Sequence, residues 1–112
     1  MRAILLLAAL TAAPAVAQTA EQDVRCLIVS NIFSQSEKDA AKRQVANAAR
    51  LFYLGRVDAR IAGPALKNSL VTQAKGITAE NAGPAMTACA RSMQGKMAAL
   101  QALGQSAQAS AK

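Results

Sequence analysis

The sequence predicts an all-α protein, a small four-helix domain closed by one disulfide between its first and last helices. Three observations carry this prediction. Apolar residues recur at helical spacing along nearly the whole chain after residue 18. Aromatics are limited to Phe33, Phe52 and Tyr53 while Ala is abundant, which suits closely packed helices better than paired strands. Two cysteines, Cys26 and Cys89, stand near opposite ends of that periodic region. At 112 residues the chain has room for one small domain.

Residues 1–17 read as a cleaved secretory signal peptide. Met1-Arg2 supplies a positive start, Ala3 to Ala13 is an uncharged apolar run, and Pro14 breaks it. Ala15-Val16-Ala17 then offers the small residues a signal peptidase reads, so cleavage is expected before Gln18. The rival, a membrane anchor, is too short: eleven residues span about 16 Å as a helix against roughly 30 Å of hydrocarbon. No later stretch is long and apolar enough to replace it, and the A-x-A form of the signal points to a bacterial periplasm.

The first helix is expected over about 20–33. Thr19 and Gln22 have capping-box spacing, and Val24, Leu27, Ile28 and Ile32 form a stripe with Cys26 one position off its centre. Ser34-Gln35-Ser36 interrupts, and Ser36 with Asp39 can cap a second helix from about 37. There Ala41, Val45, Ala48 and Phe52 recur at +4, +3 and +4. Gly55 reads either as a left-handed stop or as a small residue within a longer helix. Val57, Arg60 and Ile61 keep the spacing and favour continuation to about Arg60.

Gly63-Pro64 opens a third helix, 64–75, with Leu66, Leu70, Val71 and Ala74 facing inward and Gly76 ending it. Thr78 caps a last helix over about 79–103, with Pro84 in its opening turns as a candidate kink or break. Its stripe of Met86, Ala90, Met93, Met97 and Leu100 is the strongest amphipathic signal in the chain. Residues 104–112 hold no large apolar side chain and read as a flexible tail, which leaves 18–103 as the domain. The echo between Ala62-Gly63-Pro64-Ala65-Leu66 and Ala82-Gly83-Pro84-Ala85-Met86 reads as two similar helix starts rather than a repeat architecture.

An oxidising compartment makes a Cys26–Cys89 disulfide the default, and only one intramolecular pairing exists. Redox chemistry would be expected at C-x-x-C spacing, and a metal site would need more ligands than two thiols. The composition argues against an enzyme. There is no His to act as base, no Ser-x-x-Lys, no Gly-rich phosphate loop, and the six carboxylates are scattered. No cofactor is expected.

Two features could carry binding. Met86, Met93 and Met97 share a helix face, and thioethers bind Cu(I), which makes a copper carrier one reading; filling an irregular core is the plainer one. The chain carries 13 Lys and Arg against 6 Asp and Glu, and Arg56 and Arg60 lie one turn apart. Export removes nucleic acid as their partner, leaving an anionic envelope surface or acidic protein, against the plainer reading of a solvated helix face.

The stretches Val24-Arg25-Cys26-Leu27-Ile28 and Met86-Thr87-Ala88-Cys89-Ala90, with Leu51-Phe52-Tyr53-Leu54-Gly55 between them, carry a likeness over about residues 20–100. In these features and its size the chain resembles the HdeA/HdeB-like group of small periplasmic acid-stress chaperones. The resemblance implies a helical protein that loosens in acid and holds unfolding clients on newly exposed apolar surface. Small immunity proteins have similar disulfide-bearing helical designs. The expected function is therefore a non-enzymatic periplasmic protein, chaperone-like or protein-binding. Its alternatives are a dedicated binder of one partner, such as an immunity or envelope-assembly factor, and the Cu(I) carrier. A homodimer is also a candidate, since a short helical domain can bury its Met face against its own copy.

Overall fold

A computed structural model describes residues 18–111; the expected signal peptide and Lys112 lie outside the described residues. Four helices follow in order: α1 (Ala20–Ser36), α2 (Ala40–Arg60), α3 (Pro64–Lys75) and α4 (Ala79–Ser110). There is no strand among the described residues.

The helix starts follow local chemistry. Thr19 and Gln22 close a capping box on α1, and Thr78 and Asn81 close another on α4, each pair satisfying two backbone donors. Asp39 caps α2 by accepting from the Lys42 amide at 2.9 Å. Ser36 takes no part in that cap. It belongs to the end of α1, its hydroxyl donating to the Ile32 carbonyl at 2.9 Å. Ser30 and Ser34 donate backwards in the same way, to Cys26 and Asn31. Serines that satisfy themselves on the preceding turn do not interrupt a helix, so α1 passes the expected end at 33. Gly63 enters α3 at φ 62°, ψ −141°, a conformation that requires glycine, and Pro64 occupies the first turn.

α2 runs unbroken through Gly55, where an added Cβ would meet nothing within 4 Å. The glycine is therefore neither a stop nor a point of close approach. Pro84 lies inside α4, which continues past it at the loss of one backbone hydrogen bond. α4 also runs on to Ser110, beyond the expected end at 103, because Ala and Gln are good helix formers and only Gly104 weakens the run.

Packing rotates the predicted stripes. α1 touches α2, α3 and α4, and α2 also touches α4. A helix with neighbours on several sides buries more than one stripe, and α1 accordingly buries Asp23, Val24, Cys26, Val29, Ser30 and Ser34. On α2 the buried positions are Ala46, Ala49 and Tyr53, each one residue after the expected Val45, Ala48 and Phe52, together with Val57, which the spacing already included. The core cluster joins Cys26, Ala49, Tyr53, Cys89 and Met93, with Leu27, Val45, Phe52 and Met86 packed against it. α3 buries no residue fully: its expected inward Leu66 and Leu70 are half-buried, while Val71 and Ala74 are exposed.

Candidate binding surface

The disulfide is the centre from which the site is built. Cys26 and Cys89 are bonded, with their Cα atoms 5.5 Å apart, and tie α1 to α4 as expected. α4 fully buries only Cys89 and Met93, with Met86 packed against the same cluster, so the bridge stands at the centre of its attachment to the body. Tyr53 reinforces that junction from α2. Its ring is fully buried and its hydroxyl donates to the Cys89 carbonyl at 2.7 Å. Burial pushes the Tyr53 phenol above its ordinary value of 10.0, while the nearby Ser92 and Gln18 side chains pull the other way.

A second junction joins α1 to α2. Asp23 is completely buried and accepts from Arg56 Nε at 3.0 Å and Arg60 Nη1 at 2.7 Å. Arg60 also donates to the Gln18 carbonyl at 2.8 Å. Arg56 packs over the Phe52 ring, 5.8 Å from its centroid. The sequence places Asp58 between these arginines, but their carboxylate is Asp23, on another helix. A buried carboxylate held by two charge-assisted bonds fixes the relative placement of two helices. Arg56 and Arg60 thus have a partner inside the molecule, which takes part of the charge they were expected to offer outward.

The three methionines have different surroundings. Met93 is buried against Tyr53 and the disulfide, Met86 packs on the same cluster, and Met97 is nearly half exposed beyond it. The helix face they share in sequence therefore runs from core to solvent.

That face continues into the main unpartnered surface. Every residue of α4 from Gln94 onward is exposed, including Met97, Leu100 and Leu103, the two leucines at 66%. The described stem carries no acid beyond Glu80. A separate apolar groove of about 550 Å³ opens between α1, α2 and α3. Leu27, Ile28 and Ile32 form one wall, Leu51 and Leu54 another, and Leu70 closes it from α3. Ile32, Leu51 and Leu54 are between 41% and 64% exposed, and Val71 on α3 is exposed at 48%. Large apolar side chains gathered this way mark an interaction surface more than scattered ones do. Among them Leu51 and Leu54 escape sequence reading, because they fall off the α2 stripe; their i, i+3 spacing was the available signal. Among the described residues no helix is long and apolar enough to cross a membrane.

No protein-family model, curated protein or solved structure matches the chain.

Proposed function

We propose that this is a non-enzymatic periplasmic protein that binds other proteins on apolar surface its own fold leaves uncovered, acting as a chaperone-like holder of unfolded clients. One observation carries the reading: seven large apolar side chains stand exposed, Ile32, Leu51 and Leu54 at the α1–α2–α3 groove, Met97, Leu100 and Leu103 along the α4 stem, and Val71 on α3. An unfolded chain offers extended apolar segments, and a groove and a separate amphipathic stem can cover them without demanding one sequence. The excess of basic residues keeps such a protein soluble and attracts acidic clients.

The test is suppression of aggregation of a denatured client by the oxidised protein, in acid and at neutral pH. Protection is expected, and it should weaken when Leu51 and Leu100 are both changed to Glu. Failure to slow aggregation under both conditions overturns the chaperone reading.

A dedicated binder of one partner is the second reading. The groove is open in the folded protein, which favours constitutive docking over acid-triggered exposure. Pull-down from periplasmic extract separates the two: many substoichiometric proteins support the chaperone, one stoichiometric protein the dedicated binder.

A further inference from the structure

On the opposite side of α1, three helices each turn one face toward a second and larger groove, of about 800 Å³. α1 contributes Gln22, Arg25 and Cys26, α2 contributes Phe52 and Arg56 one turn apart, and α4 contributes a face from Asn81 to Lys96. The floor is apolar, made by Phe52, Pro84, Ala85, Ala88 and the disulfide. Its ionisable lining is cationic throughout: Arg25, Arg56 and Lys96, with no carboxylate among the described residues that line it. Asp23, which is bonded to the lining residue Arg56, is also held by Arg60, so that cluster keeps a net positive charge beside the groove. Arg25 adds an independent sign. Its Nε is buried and has no hydrogen-bond partner, a donor left unsatisfied in the folded protein.

We infer that this groove is a binding site for a monomeric anionic amphiphile, a single apolar chain ending in a phosphate or carboxylate. The volume lies in the ~300–1,000 Å³ range of small-molecule sites. Guanidinium groups match carboxylate and phosphate oxygens with paired donors, and Arg25 has a buried donor to satisfy. Lys96 supplies a mobile charge at the mouth, and the apolar floor accepts the tail. This site is separate from the apolar groove proposed for protein binding and meets the stem only at Lys96, and its test does not depend on that reading.

Isothermal titration calorimetry of the oxidised protein with n-decyl phosphate, below the concentration at which it forms micelles, tests the assignment. Saturable one-to-one binding is expected, weakened by salt. Arg25→Gln combined with Lys96→Gln should weaken it by about tenfold or more, since bonds to charged donors are lost. Lys96 is exposed, so Lys96→Gln alone gives a variant that folds if the pair does not, with a smaller loss expected. Ala88→Leu, at an exposed helical position on the floor, should reduce binding while leaving the melting temperature unchanged. The proposal is overturned if decyl phosphate does not bind, or if neutral n-decyl maltoside binds equally well. It also fails if inorganic phosphate alone binds as tightly, if the charge variants bind like wild type, or if only vesicles of anionic phospholipid are bound.

Discussion

Removing the disulfide tests how far the bridge holds α4 on the body. The perturbation is Cys26→Ala with Cys89→Ala, compared with reduction of the unaltered protein. The bridge spans 63 residues of sequence, and closing a loop of that length removes about 4 kcal/mol of unfolded-chain entropy. Against this, a domain of this size has a total stability of roughly 5–14 kcal/mol. With the bridge gone, α4 keeps Met93 and Met86 against the core cluster, the Tyr53 bond to the Cys89 carbonyl and the Ser92 bond to Gln18. Urea unfolding followed by circular dichroism should therefore show a loss of about 4 kcal/mol in both the reduced and the double-alanine protein. The chain has one Tyr and no Trp, so Tyr53 emission reports on the α2–α4 junction alone. It should change at lower urea than the helical signal does, because α1 and α2 also pack on each other through the Asp23 pair. Both proteins unfolding within about 1 kcal/mol of the oxidised one would refute the argument, since neither loop entropy nor attachment of α4 would then matter.

Further outcomes follow from the same geometry. Because the Tyr53 phenol titrates above 10.0 when folded, the folded protein holds its proton more tightly than the unfolded chain. The stability due to this is full below pH 10.0 and is lost as the pH rises from there through the folded value. Tyrosinate absorbance should thus rise later in folded protein than in urea-unfolded protein, and coincident curves would contradict the burial. Asp23→Asn leaves Arg56 and Arg60 facing an amide at a completely buried position and should cost about 3 kcal/mol by thermal unfolding, the lower end for breaking a buried pair because both arginines are partly exposed. A loss under about 0.5 kcal/mol would show the pair to behave as a surface contact. Gly63→Ala should cost about 1–3 kcal/mol from backbone strain at φ 62°, although nothing crowds the new Cβ. Gly55→Ala, in the open interior of α2, should instead stabilise by about 0.5–1 kcal/mol, so equal effects at the two sites would contradict the conformations assigned to them.

The candidate binding surface was only partly legible in the sequence. Arg56 and Arg60 stood out by spacing, yet Asp23 read as an ordinary acid in the first turn of a helix. Nothing local marks a carboxylate that will meet a residue 33 or 37 positions away. Arg25 is similarly silent, since the burial of its unsatisfied Nε exists only in the folded protein. The Met stripe was correctly periodic, but periodicity does not say where a neighbouring helix stops. Met93 lies under the disulfide, whereas Met97 and Leu100 project past the last contact.

What the sequence determined by itself is mostly what depends on near neighbours: the helical class, the caps at Thr19, Asp39 and Thr78, and the glycine-proline entry to α3, with the cysteine pairing fixed by there being only two. Capping, turn geometry and propensity act within a few residues, so they are written where they act. The tertiary structure decided which face of each helix is inside. On α2 two apolar faces lie one residue apart, Val45-Ala48-Phe52 and Ala46-Ala49-Tyr53, and both satisfy the helical period. The second is buried because small alanines let α1 and α4 approach, and because the Tyr53 hydroxyl finds the Cys89 carbonyl only from there. Leu51 and Leu54 lie off both faces and line the apolar groove with α1 and Leu70, a consequence of packing among three helices that no single stretch of chain contains.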